Sequence, residues 1–356
     1  MKALWLRRCL TCSAVVLSFI YLLPVFLWTG NPSSSHDAAA TAAHLWTGAR
    51  AASQGKQLDS TQDSVSGRPL RGMPTEPVGI APLPVLPHYL LTFLVIGDWG
   101  KPLDATHHVA EQMGEYAARH DAAFVVSTGD NFYMEGVGSV DDPLFRTNFE
   151  DVFKHPALHR TKWYIALGNH DQSKGTAAQV KYSQRSRRWQ LPAPWYNVTH
   201  YVEGQPLLDL YVLDHYHQTA GKYDLFTVQI PWLAKQLASS KAPWKVLVDH
   251  RPVFSGGVLH GSSPRLLQKL VPILKQYRVQ MVLNGDDHSL QVLEQDGITY
   301  IVSGGGSWLH EHNAILQTKF GAMQNGFTLH RLNNTHMVVD VINASGAILY
   351  TRAIPK

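Results

Sequence analysis

A chain of 356 residues can bury one large core or two modest ones, and 45% hydrophobic with 16% charged residues excludes wholesale disorder. A net charge of +4 gives no case for nucleic-acid binding, which normally shows a concentrated basic face. Cys9 and Cys12 are the only cysteines, so no disulfide can form within the rest of the chain, while 19 histidines hint at metal or acid–base chemistry.

Residues 9–28 carry no charge and run for 20 residues, enough to span about 30 Å as a helix. Around the Cys9-x-x-Cys12 pair, that apolar run outweighs a zinc or redox reading. Lys2, Arg7 and Arg8 precede the run and the next basic residue is Arg50, so the positive-inside rule puts the N-terminus in the cytosol and the rest beyond it. The expectation for 1–29 is a cytosolic N-terminus with a retained signal anchor. The alternative is a signal peptide cleaved near the Ala-rich stretch 38–43. Either leads to the secretory route, as a single-pass membrane protein or a secreted one. Sequons at Asn197, Asn333 and Asn343 agree with glycosylation there. Residues 30–87, rich in Ser, Ala, Gly, Gln and Pro, read as a flexible stem.

From residue 88 to 356 the texture is that of one folded domain. Strand-length apolar runs appear at Tyr89–Ile96, Phe124–Ser127, Trp163–Leu167, Leu208–Leu213, Lys245–Val248 and Val279–Leu283. Helical spacing at Ala105–Arg119 and Arg265–Tyr277 separates pairs of them, as in a mainly parallel sheet buried on both faces. The end differs: Ser289–Glu294, Gly297–Val302, Gly326–Leu332, His336–Ile342 and Ala347–Ile354 are short strands parted by turns, a pattern of antiparallel hairpins.

Five of the buried runs end in ligand-type residues: Gly97-Asp98, Gly129-Asp130, Gly168-Asn169-His170, Asp249-His250 and Gly285-Asp286-Asp287-His288. Ligands bind outside the carboxyl ends of strands in open α/β sheets, so these ends would converge. Oxygen donors mixed with imidazoles suit one or two transition metals rather than a thiolate zinc site. Gly-Asp is also a common turn, and Asp214 ends the run Leu208–Leu213 with no role to assign.

These blocks resemble the calcineurin-like metallophosphoesterases, and within them the small form of the purple (tartrate-resistant type) acid phosphatases. The matching stretches are GDWG (97–100), GDNFY (129–133), GNHD (168–171), RRWQLPAPWYNV (187–198), VDHRPVF (248–254), GDDH (285–288) and SGGGS (303–307). The resemblance covers about residues 90–350. It implies a four-layer α/β/β/α sandwich with mixed sheets and an antiparallel C-terminal part. It also implies a dinuclear metal-dependent phosphatase that hydrolyses phosphomonoesters, from small molecules or phosphoproteins, by attack of a metal-bound hydroxide. Asp98, Tyr133, His288 and a bridging Asp130 would hold Fe(III), and Asp130, Asn169, His250 and residue 286 would hold a divalent Fe, Mn or Zn. His170 would contact the phosphoryl group, with His260 as the second such histidine, one residue farther from His250 than the pattern has it. SGGGS is no phosphate loop, since no Gly-Lys-Ser/Thr follows, and its glycines would serve close packing near the site.

The chain departs from the family at Gly-His-x-His, where it has Gly285-Asp286-Asp287-His288. In an extended stretch 286 and 288 point the same way, so Asp286 replaces an imidazole and Asp287 becomes supporting. Three readings stay open. Asp286 binds metal in a more anionic site; or the second site is weak; or catalysis is lost and the protein is a membrane-tethered scaffold, as in the glideosome-anchoring relatives of this branch.

Overall fold

The computed structural model describes residues 88–216 and 224–356. The apolar segment 9–28, both cysteines and the stem expected over 30–87 lie outside the described residues. Among the described residues no helix is long and apolar enough to cross a membrane.

Among the described residues fourteen strands form, in chain order β1 Leu91–Ile96, β2 Phe124–Ser127, β3 Lys162–Ile165, β4 Trp189–Gln190, β5 Tyr196–Val202, β6 Gln205–Val212 and β7 Trp244–Val248. They continue as β8 Met281–Asn284, β9 Leu290–Gln295, β10 Ile298–Ser303, β11 Thr318–Ala322, β12 Gly326–Leu332, β13 His336–Asn343 and β14 Ile348–Pro355. Instead of the single sheet expected from the buried runs there are two. One has the order β14-β13-β12-β1-β2-β3-β4, the other β11-β9-β10-β8-β7-β6-β5. In the first, parallel β1 to β4 run out to the β4 edge and antiparallel β12 to β14 make up the other half; in the second, parallel β6, β7, β8 and β10 are flanked by antiparallel β5 on one side and by β9 and β11 on the other. The C-terminal hairpins are therefore the antiparallel margins of both sheets, as the four-layer expectation requires.

Strand alternation makes the layers. In the second sheet Leu208, Leu210, Val212, Val246, Val248, Met281 and Leu283 share a core with the first sheet. Their neighbours Tyr211, Leu213, Leu247 and Val282 point the other way, into a core with the outer helices. On the first sheet's outer side lies α1 (Asp104–His120), whose Val109, Ala110, Met113, Tyr116 and Ala117 recur at helical spacing and are buried. Thr106 Oγ1 accepts from Leu103 N at 3.0 Å at its start. Asp121 ends it in the left-handed conformation, φ 49°. Short α2 (Pro156–Arg160) packs against α1, and α3 is Ala177–Tyr182. The second sheet is covered by α4 (Ile230–Ser239), α5 (Pro264–Lys269) and α6 (Val271–Gln276). The single helix expected at Arg265–Tyr277 breaks at Leu270, because Pro272 lacks an N–H and its ring crowds the Gln268 carbonyl.

Two aromatic assemblies brace the core. Trp99 packs edge-on against Phe132, Phe153, Trp163 and Trp189, and its Nε1 donates to Ser127 Oγ at 2.9 Å. A column of four near-parallel rings, His330, Phe93, Phe124 and His200, runs from the first sheet to β5 of the second, with centroids 4.6, 4.8 and 4.1 Å apart.

Candidate metal centre and active site

The parallel strands of the two sheets end side by side, so the loops after β1, β2, β3, β7 and β8 meet. Asp98, Asp130 and Asp286 all follow a glycine at a strand end, and all take left-handed conformations, with φ of 60°, 54° and 67°. That costs an ordinary residue about 1–2 kcal/mol, less for Asp. Local hydrogen bonds offset it: Asp286 N donates to both Asp98 carboxylate oxygens at 3.2 Å, and His170 N donates to Asp130 Oδ1 at 3.0 Å. Gly129 (φ 109°) is required twice over, since a Cβ there would lie 2.6 Å from His250 Nδ1.

Asp98, Asp130 and His288 bring ligand atoms within 4.8 Å of one another, all buried. Tyr133 Oη joins them, 3.0 Å from His288 Nε2 and 3.3 Å from Asp98 Oδ1. Burial pushes the Asp98 carboxyl up against the pull of His250 and His288. Burial, then Asp98 and Asp130, hold the Tyr133 hydroxyl well above its ordinary value. His288 is raised: burial opposes its charge, but the Asp98 carboxylate prevails. Among the described residues the ion-pair partners of Asp98 and Asp130 are histidines only. Two buried carboxylates, an imidazole and a phenol without a Lys or Arg are a donor set that a cation fits, and a hard trivalent ion would displace the phenol proton.

The remaining expected residues stand around this group. His250 is fully buried; its Nδ1 lies 2.8 Å from the Thr128 carbonyl, which makes Nδ1 the protonated nitrogen. Its Nε2 faces Asn169 Oδ1 at 3.1 Å, Asp130 Oδ1 at 3.4 Å and Asp286 Oδ1 at 3.6 Å. Asp286 differs from the other carboxylates, for its Oδ2 accepts from Arg251 Nη1 and from the Tyr216 hydroxyl, each at 2.8 Å. Burial opposes its charge, yet His250 and Arg251 hold its carboxyl below the usual range. His170 and the exposed His260 line the cleft above, about 180 Å³ in volume, with Tyr133, Trp308 and His310. Asp287 points away from the cleft: Gly261 N donates to its Oδ2 at 3.2 Å, so it supports the loop that carries His260.

A larger cleft of about 770 Å³, lined by Lys245, Lys275, Arg278 and Lys356, lies at the opposite ends of β7 and β8 and holds none of these residues.

Several participants are invisible in the motifs taken singly. Arg251 and Asp171 stand inside matched stretches without a role assigned to them. Asp171 accepts Gly168 N at 2.8 Å, Gln179 Nε2 at 2.8 Å and the backbone N–H groups of Asn131 and Phe132 at 3.2 Å, tying the loop after β2 to the loop after β3. Tyr216 and His310 lie in loops with no motif, the latter stacked on His288 at 4.0 Å. Asp214, unassigned by sequence, accepts from Gln172 Nε2 at 3.0 Å and so braces the loop after β3. In the Gly-rich stretch, Ser307 Oγ donates to the Asp98 carbonyl at 2.5 Å, and a Cβ at Gly304 would lie 2.3 Å from the Asp287 carbonyl oxygen.

Comparison with known proteins agrees with this geometry. The calcineurin-like phosphoesterase family model matches residues 91–290. Tartrate-resistant acid phosphatase type 5 from Oryctolagus cuniculus is 33% identical over 297 residues, covering 75% of this chain and 91% of that protein. Purple acid phosphatase 4 from Arabidopsis thaliana is 34% identical over 280 residues, covering 73% and 82%. Among solved structures, one titled GAP50, the anchor in the inner membrane complex of Plasmodium, superposes with a TM-score of 0.68 at 24% identity, covering 75% of this chain and 89% of that one. Purple acid phosphatase PPD1 from yellow lupin (Lupinus luteus) gives 0.59 at 17%, covering 74% and 53%. These two share the fold. With the family match and relatives above 30% identity over most of the chain, the protein belongs to the calcineurin-like phosphoesterases, and its relatives there are tartrate-resistant and purple acid phosphatases.

Proposed function

We propose that the chain is a metal-dependent hydrolase of phosphomonoesters, of acid phosphatase type. The observation that supports this most is the convergence of Asp98, Asp130, His288 and Tyr133 beneath a cleft walled by His170 and His260. A bound metal ion supplies Lewis-acid polarisation of a phosphoryl oxygen and activation of water at neutral or acidic pH. Fe(III) is the ion that a Tyr133 phenolate suits best.

The protein's own groups do the positioning. Asn169, whose Oδ1 stands 3.1 Å from His250 Nε2, carries amide N–H groups that would donate to a phosphoryl oxygen. His170 is fixed by its Nδ1 contact to the Met134 carbonyl at 2.8 Å, so Nε2 is the atom offered to the cleft. His260 Nε2, 3.7 Å from Asp286 Oδ1, is placed to carry a proton to the leaving alkoxide. Lys101, whose Nζ lies 4.8 Å over the Trp308 ring at the mouth, would attract an anionic substrate.

Turnover of p-nitrophenyl phosphate by the full-length protein with Fe, Mn or Zn supplied tests the reading, with Asp130→Asn as control. Activity lost in the variant supports it; no activity under any of these metals overturns it. That negative result would favour a second reading, a catalytically weak member acting as a membrane-tethered interaction protein. One observation leans that way: the Asp286 carboxylate is already bound by Arg251 and Tyr216.

We also propose a secretory location, as expected from residues 9–28. Asn197 on β5 is exposed, and Asn343 lies at the β13–β14 turn, where glycans have room. A mass loss on treatment with a peptide N-glycosidase would support that location, and an unmodified protein from secretory cells would contradict it.

A further inference from the structure

The three carboxylates at the site are not equivalent. Asp98 and Asp130 face only histidines as ion-pair partners among the described residues, while Asp286 already holds a permanent cation. Its Oδ2 spends both acceptor positions, on Arg251 Nη1 and on the Tyr216 hydroxyl, at 2.8 Å each. Arg251 is itself fixed, since Nη2 donates to the His260 carbonyl at 2.8 Å. The ion pair is enclosed, with Asp286 2% exposed and the Arg251 side chain 18%. A guanidinium stays protonated at any working pH. Its charge therefore stands one carboxylate away from the place between Asp130, Asn169, His250 and Asp286. In a water-poor site, a second cation there would meet like charge at short range.

We infer, on the reading of Asp98, Asp130 and His288 as a metal centre, that Arg251 supplies the charge a second metal ion would supply, and that the protein holds one ion rather than two. Asp286 is then the counter-ion of Arg251 instead of a metal ligand. Arg251 acts as a positioning residue: through Asp286 it faces His250 and His260, and through its bond to the His260 carbonyl it holds the loop that brings His260 to the cleft.

The test is metal content per chain, by elemental analysis of the full-length protein equilibrated with Mn, Zn or Fe and freed of excess. Wild type is expected to hold one equivalent. Arg251→Gln, which keeps length and polarity without charge, is expected to hold two, and Arg251→Lys, which keeps the charge, one. Thermal melting monitors folding, and where Arg251→Gln fails to fold the wild-type count decides alone. Two equivalents in wild type overturn the inference, as does a folded Arg251→Gln variant that stays at one. No bound metal in wild type overturns instead the metal-centre reading beneath it.

Discussion

The Tyr133 hydroxyl stands 3.0 Å from His288 Nε2 and 3.3 Å from Asp98 Oδ1, so a phenol, an imidazole and a carboxylate meet edge to edge inside the protein. Such spacings are those that neighbouring donors around one ion would take. With Fe(III) in the site, a visible absorption band from the phenolate is expected. Tyr133→Phe should abolish that band, measured by absorption spectroscopy, while the protein still melts cooperatively. A band unchanged in the variant would place Tyr133 outside the shell.

Asp171 is expected to act on the site without touching it. Burial first, then the charge of Asp130, raise its carboxyl to about 7, against the hydrogen bonds from Gly168, Gln179 and Asn131 that favour the charged form. Asp171→Asn would turn an amide NH₂ toward backbone N–H groups that need an acceptor. Leaving such donors unpaired costs roughly 1–3 kcal/mol. A lowered midpoint in chemical denaturation, with activity falling as the loops after β2 and β3 loosen, is the expected outcome; wild-type stability in this variant would contradict it.

The ring column gives a pH prediction. Burial depresses His330 to about 3, and burial followed by Lys162 depresses His200 to about 4. Both lie below the ordinary value near 6.5, so the unfolded chain binds protons that the folded chain refuses. Their contribution to stability is complete above pH 6.5 and is lost as pH falls toward 3–4. Each histidine contributes up to about 1.4 kcal/mol per pH unit in that window. Melting temperature should therefore fall between pH 6.5 and 4.5, and fall less steeply in His330→Phe. Parallel slopes for the two proteins would contradict the assignment.

Trp99 is the keystone of the aromatic cluster under β1 to β3, fully buried and next to Asp98. Trp99→Ala should cost about 3–5 kcal/mol, read as a loss in denaturation free energy. A loss below about 1 kcal/mol would mean that the cluster repacks.

Sequence alone carried far where chemistry repeats. Glycine followed by a ligand-type residue recurs after β1, β2, β3 and β8, and that recurrence points to Asp98, Asp130, Asn169 and the stretch Asp286-Asp287-His288, of which the structure groups Asp98, Asp130 and His288. It did not separate two sheets from one, because strands buried on both faces read alike whichever partner they pair with. It missed β5 and β11 since Tyr196–Val202 and Thr318–Ala322 sit at sheet edges with mixed exposure, and their polar faces hide the strand signal. The Pro272 break was legible in principle but lost within a helical period. Arg251 was present in a matched stretch, yet nothing local shows that its side chain meets Asp286, 35 residues away. Tyr216 meets the same carboxylate across 70 residues, which no motif spans.

Everything proposed for the cleft depends on Asp98, Asp130 and His288 holding a metal ion. Elemental analysis of the full-length protein, wild type beside Asp130→Asn and His288→Ala, tests it most directly. Bound transition metal is expected in wild type, with its loss from both variants while they remain folded. Wild type without metal, or variants that retain it in full, would mean that these residues hold no ion.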